Sequence, residues 1–333
     1  MPQVSIILPF FNAEKTLLRA ISSIADQTLR DIEIIMVDNN STDKSRTISE
    51  SQVTKDPRFI LISEKKQGVV FASNAGSAIA SGKYICRMDA DDWSHPDRLE
   101  RQVQFLEENP DFGVVAGLVE YVGHHENTQG FSRYVDLINS IQTYSQISNR
   151  RFIESPIVNP SAMWRKEVAD NLGMYRDGKF PEDYELWLRW LGAGIKMHKI
   201  PRPVLKWHDS DGRLTRTDRR YSDKAFYEIK TKYLADWLKD NNPHHPNVAV
   251  WGASRISRLR ARILEKHGVH ISCYIDITGK RKLDREVINY KEIPSPKEMF
   301  ILTYIRQANA RIEIQEFLES RGYTEGENYL LIS

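Results

Sequence analysis

Apolar residues in this chain concentrate in short runs separated by stretches with helical spacing. Residues 4–8, 32–37, 59–62 and 84–88 read as buried strands, because each is a mostly apolar run of strand length. Pro9 is expected to end the first of them, since proline has no N–H to give to a ladder. Between the runs, Leu17, Leu18, Ile21 and Ile24 recur at helical intervals within 13–27, and Ser41, Thr42 and Asp43 supply capping groups for a second helix. Residues 69–80 read as a third helix, and Pro96 opens a fourth whose apolar stripe is Leu99, Val103 and Leu106. A strand over 112–122, a short helix near 138–147, a helix over 181–191 and a long one over 221–239 complete this part. Strands alternating with helices predict an α/β fold with a mixed, mainly parallel sheet flanked by helices.

The pattern restarts after a turn-rich stretch, Asp240-Asn-Asn-Pro-His-His-Pro246. A strand over 248–251, a turn at Gly252, a helix and a strand over 271–275 ending in Asp276 predict a smaller Rossmann-like α/β module. The expected organisation is therefore a first domain over 1–240, a linker over 241–247 and a second domain over 248–333. Ser254 and Ser257 stand where a dinucleotide fingerprint needs glycine, which argues against nicotinamide chemistry there.

Composition changes this picture little. The chain has 333 residues, 28% of them charged, and a formal net charge of +2, which gives no basis for nucleic-acid binding. Cys86 and Cys273 are far apart in sequence and read as reduced packing residues. The first residues do not read as a signal peptide, and no apolar run reaches membrane-spanning length. The expected location is the cytoplasm, with peripheral attachment to the inner face of the cytoplasmic membrane left open.

The candidate chemistry lies where the fourth run stops in Asp89-Ala-Asp91-Asp92. Clustered carboxylates repel one another unless a cation joins them, and hard oxygen donors suit Mg²⁺ or Mn²⁺, which often accompany a phosphate-bearing substrate. A solvated acidic turn is the plainer alternative. Further on, Glu182 and Asp183 begin a helix, where a carboxylate could simply serve as a cap.

In order, the segments Val4 to Asn12, Val37-Asp38-Asn-Asn-Ser-Thr-Asp43, Gly68 to Asn74, Asp89-Ala-Asp91-Asp92 and Glu182-Asp183-Tyr-Glu-Leu-Trp-Leu-Arg189 resemble the motif set of family 2 glycosyltransferases, over about two-thirds of the chain. That resemblance implies the GT-A fold and an inverting transfer from a nucleotide-diphosphate sugar to an acceptor hydroxyl. A UDP-sugar is favoured, with GDP or dTDP as alternatives, and the acceptor would be a saccharide or lipid-linked. It further implies bacterial surface polysaccharide or lipopolysaccharide synthesis.

Carried over residue by residue, the resemblance makes Asp183 the catalytic base with Glu182 in support. It assigns Asp91, Asp89 and His208 to Mn²⁺ or Mg²⁺, and Pro9, Phe10, Asn12, Asp38, Gly68, Asn74, Asp89 and Arg213 to the donor. Asp38 would accept hydrogen bonds from the base, for which a carboxylate is suited. Where the family commonly has an arginine before the residue matched by Asn74, this chain has Ser73. A non-catalytic sugar-nucleotide-binding or scaffold protein is the alternative function.

Overall fold

A computed structural model describes residues 1–123, 129–209, 214–279 and 282–332. They form two compact units: Met1–Ile147 with Pro156–Tyr221, and Ser148–Ser155 with Ser222–Ser333.

The first unit is built on an eight-stranded sheet. Its strands are β1 (Val4–Phe10), β2 (Ile32–Asp38), β3 (Phe59–Ser63), β4 (Tyr84–Arg87), β5 (Trp93–Ser94), β6 (Phe112–Val122), β7 (Met163–Arg165) and β8 (Lys196–His208). They lie in the order β3-β2-β1-β4-β7-β6-β8-β5. β3, β2, β1 and β4 are parallel, β7 runs against both β4 and β6, and β6 is parallel to β8. The C-terminal ends of β1, β2 and β4 therefore open on one edge of the sheet, where α/β folds place ligands.

Period-two alternation divides the core. Ile6, Leu8 and Phe10 join Ile34 and Met36 in one cluster with Leu17, Ile21 and Ile24 of helix Leu17–Ala25. Ile7, Ile35 and Val37 join the other, with Val70 and Ala72 of helix Val69–Ile79. That second cluster also holds Trp164, Trp187 and Trp190, packed edge to face with ring centres 5.7 to 6.2 Å apart.

Several sequence expectations change here. β1 runs through Pro9 to Phe10 instead of stopping at Leu8. The proline is tolerated because pairing of β1 with β4 ends at Ile7 opposite Arg87, so the side its nitrogen faces has no ladder to interrupt. Helices span Gln129–Ser140 and Tyr144–Arg150 where a single short one was expected near 138–147. The long strand β8 was not anticipated, because Pro201 and Pro203 break its pattern; they lie where its register against β6 shifts between Gly117 and Leu118.

The second unit contains β9 (Asn247–Trp251), β10 (His270–Asp276), β11 (Glu286–Asn289), β12 (Ile301–Thr303) and β13 (Tyr329–Leu331). All pair in parallel, in the order β11-β10-β9-β12-β13, a Rossmann-like arrangement. The helix Asp223–Asn241 falls within this unit, so the chain divides at Tyr221 and Ser222, ahead of the turn-rich stretch at 240–246. Its Lys230 is buried and donates to the carbonyls of Phe152, Ile153 and Ile332, fastening the helix at three points.

Gly82 sets how closely β4 approaches β1. A Cβ there would lie 2.7 Å from the Ser5 nitrogen and 2.9 Å from the Val4 carbonyl carbon, and backbone cannot swing aside. Gly82→Ala is expected to lower stability by about 1–3 kcal/mol, the usual overpacking cost. Gly192→Ala meets open space near a helix end and should be neutral or slightly stabilising. Thermal unfolding of the two variants side by side checks both.

Candidate active site

The tips of β1 and β2 are tied together by short polar side chains. Asn12 adopts a left-handed backbone, φ 48°, which asparagine tolerates better than most residues. Its Oδ1 accepts from the Thr42 N–H at 2.8 Å, and its own N–H donates to Ser41 Oγ at 3.1 Å. Asp38, 4% exposed at the end of β2, accepts from the Ser41 N–H at 3.0 Å and pairs with Arg46 at 3.2 Å. Phe10 lies opposite Asp38 in the ladder, but its ring is buried in the core, whereas the ring of Phe11 is exposed. The alternation of β1 sends the Phe10 side chain into the cluster it shares with helix Leu17–Ala25.

A second loop is locked beneath these tips. Asn39 donates to the carbonyls of Glu64 and Lys66 and accepts from the Gly68 N–H at 2.7 Å. Gly68 has φ 136°, a conformation that side-chain-bearing residues avoid, so glycine is required where helix Val69–Ile79 begins. Asn74, on that helix, donates to the Tyr175 carbonyl at 2.9 Å, while its buried Oδ1 has no hydrogen-bond partner among the described residues.

β4 then delivers the acid cluster. Asp89, Asp91 and Asp92 each present a carboxylate oxygen, and these oxygens lie within 4.8 Å of one another. Three hard oxygen donors at that spacing fit a divalent cation. Asp92, which the sequence reading left out of the ligand set, is 1% exposed and accepts from the His208 N–H at 2.9 Å. His208 thus reaches the cluster through its backbone; its ring Nδ1 lies 3.1 Å from the Lys206 carbonyl. Burial and the nearby Arg19 lower the pKa of that imidazole, which favours the neutral form a metal requires. Next to it, Asp209 accepts from Tyr121 at 2.5 Å and pairs with Arg216. Arg213 lies outside the described residues.

Arg87, the last residue of β4, was not singled out from the sequence. It donates to Asp89 Oδ1 from Nε and Nη2, at 3.0 and 2.7 Å, and from Nη1 to Ser73 Oγ at 2.6 Å. A lone arginine inside an apolar run was the available signal, since a buried cation demands an anion nearby.

Glu182 and Asp183 open helix Glu182–Gly192 immediately after Pro181. Glu182 is buried and accepts from the Tyr221 hydroxyl at 2.6 Å. Asp183 accepts the Tyr184 N–H at 2.7 Å. Burial first, then the negative charges of Glu182 and Asp89, push the Asp183 carboxyl up to about 7. Burial also raises Glu182, against the pull of Tyr221 and the cations Arg220 and Arg87. The site thus offers an oxygen-rich cation cradle and, within electrostatic reach of it, a carboxyl poised to exchange a proton near neutrality.

Sheet order and site position together define a GT-A nucleotide-diphospho-sugar transferase fold. The first 349 residues of Staphylococcus aureus TarS, solved with UDP-GlcNAc, are similar at a TM-score of 0.54 and 17% identity, over 80% of this chain and 71% of that one. Mannosyltransferase PcManGT from Pyrobaculum calidifontis, solved with GDP-Man and Mn²⁺, is similar at 0.50 and 15% identity, over 80% and 73%. At those identities the likenesses bear on the fold alone.

Sequence comparison gives the family. Residues 5–173 match the model of glycosyl transferase family 2. An uncharacterized glycosyltransferase of Methanocaldococcus jannaschii is 30% identical over 255 residues, 75% of this chain and 84% of that protein. The putative glycosyltransferase EpsE of Bacillus subtilis is 30% identical over 66% of this chain and 78% of its own. The amylovoran biosynthesis glycosyltransferase AmsE of Erwinia amylovora is 27% identical over 61% and 74%. The chain belongs to glycosyltransferase family 2.

The raised Asp183 carboxyl has a thermodynamic consequence. With its folded pKa near 7 and an unfolded value near 3.8, the folded state holds a proton that the unfolded chain releases. Stability from this group is full below about pH 4 and is lost as pH rises through about 7. Asp183→Asn removes that loss. Its unfolding temperature is expected to match the wild type at pH 4 and to exceed it increasingly up to pH 8, as read by thermal melts across that range.

Proposed function

We propose that this chain transfers a sugar from a nucleotide-diphosphate donor to an acceptor hydroxyl with inversion at the anomeric carbon, with the help of a divalent metal. The observation that supports this most directly is the pairing of the acid cluster with the Asp183 carboxyl, pushed up to about 7 within electrostatic reach of Asp89. A protein that only bound a nucleotide sugar would have no use for a base tuned to the working pH, and buried carboxyls destabilise a fold.

Asp38 would accept N–H groups of the nucleobase, with Arg46 moving aside from the position it now holds at 3.2 Å. The backbone near Pro9 and Asn12, the Gly68 loop and Asn74 would border the nucleotide. Asn74 Oδ1, buried without a partner among the described residues, is an acceptor available to a donor hydroxyl. Asp91, with Asp89 and Asp92, would hold Mn²⁺ or Mg²⁺, and His208 lies beside them. When bound, the ion would supply Lewis-acid stabilisation of the charge growing on the leaving diphosphate.

Asp183 would take the acceptor O–H proton as the oxygen bonds to the anomeric carbon from the face opposite the diphosphate. The bond from that carbon to the phosphate oxygen breaks, and its electron pair leaves with the diphosphate. Glu182, held by Tyr221, would keep Asp183 basic by its charge. No sugar–enzyme bond is formed.

A UDP-sugar is the favoured donor, with GDP- and dTDP-sugars as alternatives, and the acceptor is a saccharide or lipid-linked glycan. The polysaccharide role named for AmsE supports a place in bacterial surface polysaccharide synthesis. Among the described residues no helix is long and apolar enough to cross a membrane, which is compatible with work at the inner membrane face.

The test is release of nucleoside diphosphate from UDP-, GDP- and dTDP-sugars with Mn²⁺ or Mg²⁺, with donor binding measured alongside. One donor should give metal-dependent release. Asp91→Asn should abolish it, and Asp183→Asn should slow it by roughly 10²- to 10⁴-fold, the usual worth of a general base. Because the base must be ionised, kcat/KM should rise with pH to a plateau, with an apparent pKa of about 7. Donor binding without turnover in any acceptor mixture would favour the non-catalytic alternative; no nucleotide binding at all would overturn the reading.

A further inference from the structure

Arg87 is 3% exposed, pairs with Asp89 and lies within electrostatic reach of Glu182. Two of its nitrogens fork onto a single oxygen of Asp89, at 3.0 and 2.7 Å, and the third is anchored on Ser73 Oγ at 2.6 Å. It acts electrostatically on Glu182 and Tyr175 as well. Ser73 is itself held by the Val69 carbonyl, so the cation is fixed to the helix that begins at Gly68.

A buried ion pair is a poor means of stabilising a fold, because desolvation offsets its attraction. The location suggests a different use. Asp89, Asp91 and Asp92 together carry three negative charges, and Arg87 removes one of them at the protein side of the cluster. A divalent ion then brings the site to neutrality, and a donor diphosphate meets no net repulsion. Without the guanidinium, the empty cluster would draw cations more strongly, yet the loaded cluster would keep a negative charge facing the diphosphate. Arg19, whose Nη2 donates to the Asp91 carbonyl, cannot substitute, because it is exposed and screened by solvent.

We propose that Arg87 is a positioning residue that sets the charge of the acid cluster, so that the divalent ion is held weakly alone and firmly only together with the donor diphosphate. The inference rests on the reading of the site given under Proposed function. It separates two affinities that a merely structural arginine would move in the same direction.

The experiment measures Mn²⁺ binding alone, from the free-ion magnetic resonance signal, and UDP and GDP binding at saturating Mn²⁺ by calorimetry. Wild type, Arg87→Met and Arg87→Lys are compared, with melting temperatures recorded. Arg87→Met should bind Mn²⁺ roughly fivefold more tightly and the nucleoside diphosphate at least roughly fivefold more weakly, as expected for one lost partly buried charge. Arg87→Lys keeps the charge and loses the fork, so both affinities should stay within about twofold of wild type. Should Arg87→Met fail to fold, Arg87→Gln, which also removes the charge, takes its place. Both affinities falling together, or neither moving, in a folded variant that removes the charge overturns the inference, as does a lysine variant whose Mn²⁺ affinity rises as much. A wild type that binds neither Mn²⁺ nor diphosphate instead overturns the reading of the site itself.

Discussion

Like-charge repulsion is the constraint around which the first unit is arranged. Three carboxylates present oxygens within 4.8 Å of one another at the end of β4, and Asp183 and Glu182 stand close enough to share their field. Such a group persists only if the surrounding structure holds it more firmly than the charges push it apart. The β1–β4 ladder, Gly82 packed against the backbone of β1, and the Trp164, Trp187 and Trp190 cluster provide that rigidity. The helix that begins at Glu182 is part of the same packing, because Trp187 and Trp190 are two of its own residues. The apolar face of that helix therefore fixes where its charged first turn stands.

Two kinds of partner relieve the repulsion in different ways. Backbone N–H groups do so locally: Asp92 accepts from His208, Asp183 from Tyr184 and Asp38 from Ser41. Such donors fix orientation and add no net charge, so they leave a carboxylate available as an anion. Arg87 brings a full positive charge, which is why its position matters more than its contribution to packing. Glu182 has a hydroxyl partner in Tyr221 instead; burial of each carboxyl, and for Asp183 the charge of Glu182 as well, keeps both above the ordinary carboxylate range.

Much of this could be read from sequence because the strands of an open parallel sheet announce themselves as mostly apolar runs. The acids stand at the run ends, so Asp38 and the Asp89 to Asp92 cluster could be placed at strand tips before any coordinates. What could not be read depended on side-chain direction or on distant pairing. Phe10 and Phe11 are adjacent and chemically identical, and only the phase of β1 sends one into the core and the other to solvent. β8 was hidden because Pro201 and Pro203 contradict strand propensity, while the irregular register against β6 tolerates them. The division at Ser222 was missed because a long amphipathic helix gives no sign of which core its apolar face will join.

Arg87 shows the same limit in its chemical form. In sequence it interrupts an apolar run, and nothing local says whether such a residue is buried or marks the strand's end. Its partners are two residues away, at Asp89, and fourteen away, at Ser73, and the second meets it only because helix Val69–Ile79 lies against the sheet. That packing is close because Gly76, one turn along the same helix, leaves no room for a side chain: a Cβ there would stand 2.7 Å from Ile7 and 3.0 Å from Val37. A glycine with no side chain thus governs how near Ser73 can come to Arg87, and through Arg87 how the charge on Asp89 is balanced. The electrostatics of the site are in this sense a consequence of steric fit in the core beneath it.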